Sequence, residues 1–128
     1  MSPSRAVMTA KAAPDVLGPY SLGIKTESLI FLSGTIGIDP DSGNLVSGGV
    51  AVQARQALNN MQNILEENGA SMNSVVKTTV FLTDIDDYTQ VNAVYAEYFE
   101  NEPPARSAVE VVALPGGAAV EIEAIALA

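Results

Sequence analysis

Between Val50 and Asn68 the apolar residues Val50, Ala54, Ala57, Leu58, Met61, Ile64 and Leu65 recur on one stripe at helical spacing, and nothing else in the chain constrains its fold as much. Ser47, Gly48 and Gly49 offer a start to this helix and Gly69 a left-handed stop. At about 1.5 Å per residue the helix would run about 28 Å, long enough to lie across most of a sheet. Its alanines allow close approach to whatever lies beneath, and the flanking sequence supplies strands. Leu29 to Ile38, Val75 to Thr83, Ala105 to Ala113 and Ala119 to Leu127 are apolar, β-branched runs bounded by turn residues. A second amphipathic helix is expected from Tyr88 to Phe99, with Val91, Val94, Tyr95, Tyr98 and Phe99 on one face, Asp84 to Asp87 as candidate caps, and Pro103-Pro104 ending it. The order of elements predicts an α+β layer in which two helices pack on one face of a mixed β-sheet, a single domain over residues 1–128.

Composition narrows the chemistry. Hydrophobic residues are 48% of the chain and charged ones 16%, too apolar for disorder, yet no run approaches the roughly 20 uninterrupted apolar residues of a membrane span. Six basic residues against fifteen acidic ones give a net charge of −9. The basic residues are scattered (Arg5, Lys11, Lys25, Arg55, Lys77, Arg106), which argues against a nucleic-acid partner. With no Cys and no His, thiolate nucleophiles, His bases, Ser-His hydrolase mechanisms and the common Zn, Cu and haem ligand sets are closed. Any chemistry falls to carboxylates, hydroxyls, Arg, Lys or backbone amides. Asp39-Pro-Asp41-Ser-Gly43 lacks the glycine position of a calcium loop, and Asp84, Asp86 and Asp87 read as helix-start residues, so no metal site is expected. Residues 1–13 lack the apolar core of a secretory leader, so a cytoplasmic location is expected. Arg5 and Lys11 precede any acid, a pattern compatible with a mitochondrial address.

Two glycines, Gly34 and Gly37, interrupt the first strong strand, which points either to a bulge that curves the sheet or to a ligand lying against the backbone. In the last two strands, alternation puts Arg106, Ala108 and Glu110 opposite Ser107, Val109 and Val111, and Glu121 and Glu123 opposite Val120, Ile122 and Ala124. The aliphatic sets suit the helices. The other face mixes Glu121 and Glu123 with Ile125 and Leu127, and a second copy of the chain is its expected cover. A hairpin centred on Gly116-Gly117 would set Arg106 opposite Leu127 and Glu121 about 20 Å further along, so a site using both would be assembled between subunits. Charged residues on an open sheet face are ordinarily solvated or weakly paired, and residue types alone leave that alternative standing.

The segments PPARSAVEVVALP and VEIEAIA, with APDVLGPYS, FLSGTIGIDP, AVQARQALNNMQNILEENGAS and VVKTTVFLTDIDDYTQVNAVYAEYF, resemble the RidA family, also called YjgF/YER057c/UK114, over nearly the whole chain. The resemblance implies a chorismate-mutase-like fold, a homotrimer with clefts between neighbours, and cofactor-independent hydrolysis of reactive enamines and imines such as 2-aminoacrylate, 2-iminopropanoate and 2-iminobutanoate to 2-keto acids and ammonia. It assigns Arg106 to the substrate carboxylate and Glu121 to the water. Tyr20, Ser33 and Asn92 would line the cleft, with backbone amides near Gly34 and Ala108 completing it. Ala108 stands where many members carry Cys, Thr35 where some carry Gln, and Val112 where a smaller residue is expected, which puts a thiol-dependent side activity in doubt but not imine chemistry that needs only the Ala108 backbone.

The residue inventory agrees with that chemistry. An imine already has an electrophilic carbon and needs a carboxylate anchor, water and proton transfers; an Arg fork accepts both carboxylate oxygens, and a partly buried Glu relays protons. The competing reading is a noncatalytic module that binds a small carboxylate such as a 2-keto acid in the same intersubunit clefts. An RNA-cleaving activity fits poorly with the net charge and the missing His.

Overall fold

In a computed structural model describing residues 4–128, the chain forms one sheet of six strands: β1 (Arg5–Met8), β2 (Gly23–Thr26), β3 (Leu29–Thr35), β4 (Val75–Leu82), β5 (Ala105–Glu110) and β6 (Val120–Leu127). The readings over 1–13 and 1–128 include residues 1–3, which lie outside the described residues. The spatial order is β1-β2-β3-β6-β4-β5, with β4 and β5 parallel and every other pairing antiparallel. Helices α1 (Val50–Glu67) and α2 (Tyr88–Tyr98) cover one face. The expected α+β architecture is the observed one, and no helix of the described residues is long and apolar enough to cross a membrane.

Helix α1 forms because its stripe can be buried on one side. Ala54, Ala57, Leu58, Met61 and Leu65 are fully enclosed. Beneath them lie Ile30 and Leu32 of β3, Thr78, Val80 and Leu82 of β4, and Val120, Ile122, Ala124 and Ala126 of β6. Each large aliphatic side chain removed from water here contributes about 1.5–3 kcal/mol before entropy is counted. At its C-terminus, Gly69 adopts φ +80°, which lets Ala70 N–H reach the Leu65 carbonyl at 2.9 Å and closes the helix. Gly49, not Ser47, occupies the N-cap, without a side-chain cap bond. The buried polar groups are matched: the Thr78 and Tyr95 hydroxyls share a 2.7 Å hydrogen bond, and Asn60 donates to the Ile38 carbonyl at 2.9 Å.

Three expectations are corrected. The Leu114–Gly117 connection is not a hairpin turn; Pro115–Gly117 form a single 3-10 turn, and β4 lies between β5 and β6. Helix α2 is a crossover, so β5 returns parallel to β4, with Arg106 opposite Thr78 rather than Leu127. The face assignment in β5 also reverses. Arg106 aligns with buried Thr78 and therefore stands on the helix-covered side, while Val109 aligns with Phe81 on the open side and is 42% exposed. The first strong strand ends at Thr35 rather than Ile38, and the short strands β1 and β2 extend the sheet beyond it.

Candidate active site

The first cluster grows from an irregularity in β3. Leu32 pairs with Ala124 and Thr35 with Ile122, so Ser33 and Gly34 together stand opposite the single residue Glu123, a β-bulge. The bulge lets Ser33 turn its hydroxyl to the Ser21 carbonyl at 2.6 Å, while its N–H reaches the Leu22 carbonyl at 3.0 Å. Those bonds draw the Pro19–Leu22 loop over the strand end. Tyr20, in that loop, accepts the Leu17 N–H on its hydroxyl at 3.3 Å.

These groups line a cleft of about 420 Å³ with Val16, Leu17, Gly34 and Glu121. Glycine at 34 is required by close approach: a Cβ there would lie 2.6 Å from the Glu121 carboxyl carbon and 2.8 Å from Oε1. The bulge reading of the interrupted strand is realised at Gly34, and the close neighbour of its backbone is the chain's own Glu121 side chain. Burial, and then the charge of Glu123, push the Glu121 carboxyl above the ordinary carboxylate range. Gly37 meets a different neighbour, the backbone of Gln53 in α1, with a Cβ position 2.6 Å from its carbonyl oxygen.

The second cluster sits at the β5 edge of the sheet. Arg106 lies on β5 with its guanidinium 4.7 Å from the ring centre of Tyr95 and 5.3 Å from that of Tyr88, and Nη2 donates to the Tyr88 hydroxyl at 3.0 Å. The only ion pair among the described residues is Arg55 with Glu97, so Arg106 is a cation held by aromatic faces without a carboxylate partner. Asn92 lies one turn beyond Tyr88 and one before Tyr95 on α2, on the stripe that faces Arg106. Ala108 lines a shallow depression with Ile85, Asp86, Tyr88 and Thr89. Val111 N–H bonds inward to the Leu82 carbonyl at 2.8 Å, and alternation then turns the N–H groups of Arg106 and Ala108 outward from the edge.

The structure therefore brings Tyr20, Ser33, Gly34 and Glu121 together in one place and sets Arg106 and Ala108 beside Tyr88 in another, with Asn92 one helical turn from Tyr88. Within one chain they do not meet. Arg106 aligns with Thr78 and Glu121 with Phe81, so they are two strands and three residues apart, about 10 Å in each direction, with side chains on opposite faces. Tyr88, which sequence reading treats only as the start of a helix, proves to be the hydrogen-bond partner of Arg106; its place four residues before Asn92 was the available signal.

Across residues 10–128 the chain matches the model of a protein family described as Endoribonuclease L-PSP. The chain belongs to this family. It is 52% identical over 123 residues to the human 2-iminobutanoate/2-iminopropanoate deaminase, a match spanning 96% of this chain and 89% of the human protein. It is 48% identical over 125 residues to the chloroplastic Reactive Intermediate Deaminase A of Arabidopsis thaliana, covering 98% of this chain and 67% of the plant protein. Among solved structures, YyfA of Yersinia pestis, a Rid-family protein described as of unknown function, aligns with a TM-score of 0.95 at 45% identity, covering 98% of this chain and 100% of that one. The RidA resemblance drawn from the strand and helix motifs is borne out. The two clusters differ in chemistry: one presents a carboxyl group and hydroxyls around a cleft, the other a guanidinium with no acidic partner among the described residues and outward amides.

Proposed function

We propose that this chain hydrolyses enamine and imine forms of 2-amino acids, including 2-aminoacrylate, 2-iminopropanoate and 2-iminobutanoate, to 2-keto acids and ammonia. The reaction would occur in clefts between copies of a homotrimer, where the Tyr20–Ser33–Gly34–Glu121 cluster of one copy meets Arg106, Asn92 and Ala108 of the next. The observation that carries the reading is Arg106. A guanidinium kept extended by two aromatic rings and free of any acidic partner among the described residues is poised for an external carboxylate. Deaminase relatives at about half identity supply the reaction class.

The steps follow from the groups present. An enamine such as 2-aminoacrylate first gains a proton at C3 and loses one from nitrogen to water, which makes it the imine. Arg106 binds the carboxylate bidentately, which holds C2 in place. Ionised Glu121 takes a proton from water as the oxygen bonds to C2 and the C=N π electrons move to nitrogen. That proton passes from Glu121 to nitrogen, giving the neutral carbinolamine; Glu121 then takes the hydroxyl proton and delivers it to nitrogen as the C–N bond breaks, C=O forms and ammonia leaves. Water is consumed and one ammonia released per keto acid, with no redox change, so the sequence calls for no electron carrier. The action is placed in the cytoplasm as part of this proposal, and RNA is not a substrate in it.

The test is keto-acid and ammonia formation from freshly generated 2-aminoacrylate. Arg106→Lys should raise KM roughly 10- to 100-fold, because a point charge replaces a fork worth about 1.5–3 kcal/mol in charge-assisted hydrogen bonds. Glu121→Gln should lower kcat about 10²- to 10⁴-fold while retaining 2-keto-acid binding. Near-normal turnover by Arg106→Lys refutes the anchor. Binding of 2-keto acids by the unaltered chain without accelerated hydrolysis establishes the noncatalytic module instead.

A further inference from the structure

One wall of the Glu121 cleft is tied down by the end of α1. After β1 the chain runs outside any strand from Thr9 to Leu22, and this stretch contributes Pro14, Val16, Leu17 and Tyr20 to the cleft. Glu67, in the last turn of the helix, accepts the Lys11 N–H on Oε1 at 2.7 Å and the Ala12 N–H on Oε2 at 3.0 Å. Its neighbour Asn68 donates from Nδ2 to the Thr9 carbonyl at 3.0 Å, and the Asn68 carbonyl accepts Lys25 Nζ at 3.0 Å. Buried Ala13 follows, then the wall itself, whose Leu17 N–H completes the chain of contacts at the Tyr20 hydroxyl.

Glu67 is exposed and lies off the buried stripe of α1, so its carboxylate adds nothing to the core. What it adds is direction. Each oxygen takes one backbone donor, an arrangement that fixes the orientation of two successive peptide planes. The N–H of Ala12 and then that of Lys11 hold this carboxyl below its ordinary range, so it stays charged at neutral pH.

We propose that Glu67 is a positioning residue for the active site, a two-oxygen clamp that sets the Pro14–Tyr20 wall and through it the affinity for the substrate. The proposal rests on the functional reading above for the identity of the ligand. It predicts a defect in binding rather than in the chemical step, because the clamp touches neither Glu121 nor Arg106.

The variants are Glu67→Ala, Glu67→Gln and, as a control that breaks a surface ion pair elsewhere on α1, Arg55→Ala. Three quantities are measured: amide hydrogen exchange across residues 9–20, the Kd for 2-oxobutanoate by calorimetry, and KM and kcat with 2-iminobutanoate. Glu67→Ala should speed exchange and raise both Kd and KM roughly tenfold, the scale of one lost charge-assisted hydrogen bond, with kcat within about twofold. Glu67→Gln should fall between, since its amide oxygen can accept one N–H and its NH₂ cannot accept the other. Arg55→Ala should move none of the three. Unchanged exchange in Glu67→Ala overturns the clamp, and faster exchange with unchanged Kd and KM overturns its link to the site. A chain that binds 2-oxobutanoate but does not hydrolyse imines sinks the catalytic reading while the Kd series still decides the clamp; a chain that does neither overturns both.

Discussion

The two faces of this sheet are made by alternate residues of the same strands, yet they have opposite characters. On the helix side, Ile122, Ala124 and Ala126 of β6 are sealed beneath Ala54, Leu58 and Met61. On the other side, Glu121, Glu123, Ile125 and Leu127 of that strand share a surface with Phe31, which is 43% exposed, and Leu127 is 53% exposed. A wide groove of about 660 Å³ crosses this face between Phe31, Lys77, Glu123 and Ile125. The contrast separates the packed core from the Glu121 half of the site, while the Arg106 half stands on the helix side at the β5 edge, against Tyr88 and Tyr95. Burial on the helix side holds the strands in place, so the open side can carry a bulge, a half-buried carboxyl and uncovered apolar groups without unfolding the chain.

That separation is broken most sharply at Gly34. The residue does not need a left-handed backbone, so Gly34→Ala meets its nearest obstacle in the Glu121 side chain, whose carboxyl must swing aside. A displacement of about 1 Å at a reacting group costs on the order of 10²-fold in rate. The variant should therefore lose about that factor in kcat while its denaturant midpoint stays near that of the unaltered chain. A full-rate Gly34→Ala would mean that the carboxyl position does not matter; a chain that fails to fold would mean that the faces are not separable at this point.

The reciprocal experiment is Ala54→Leu. Ala54 has no exposed surface and faces the strands, so the larger side chain overpacks the interface and should destabilise by about 1–3 kcal/mol, read from the shift in denaturant midpoint. Below the unfolding transition, kcat and KM should hardly change. Taken together, Gly34→Ala and Ala54→Leu form a double dissociation, and equal effects of either variant on both readouts would dissolve the contrast between the faces.

The same contrast explains what could be read from the sequence. The α1 stripe is written locally at a period of 3.6 and was legible, as were the cores of β3, β4 and β6, whose β-branched runs are long. Strands β1 and β2 were not, because each has only four residues and carries a charged one, Arg5 or Lys25, so no alternation stands out. Whether β5 returns parallel or antiparallel is decided by long-range pairing with β4, and the Leu114–Gly117 connection imitates a hairpin while its strands sit two places apart. The face of Arg106 was misread for a related reason: at a sheet edge the helix does not cover everything, and Tyr88 and Tyr95 leave room for a guanidinium on a side that would otherwise be aliphatic. The Gly34 interruption was visible, but its partner Glu121 was not, since they are distant in sequence.

The smallest expected effect concerns how the open face tunes its own carboxyl. Burial raises the pKa of Glu121, and the charge of Glu123, two residues along the same face, raises it further by opposing ionisation. If ionised Glu121 is the base, the rate must fall on the acid side at a pH above the ordinary carboxylate range. Glu123→Gln removes the repelling charge, so Glu121 ionises more easily and that acid limb should move to lower pH, with the plateau rate kept. The sign for stability is the reverse of a salt-bridged carboxylate: a group whose pKa is higher in the folded chain favours folding below its unfolded pKa, and that contribution is lost as pH rises through the folded value. Glu123→Gln should therefore also flatten the loss of stability on the alkaline side of the Glu121 transition. An acid limb that stays in place would assign the whole shift to burial, and one that moves to higher pH would show that Glu123 is not the neighbour that matters.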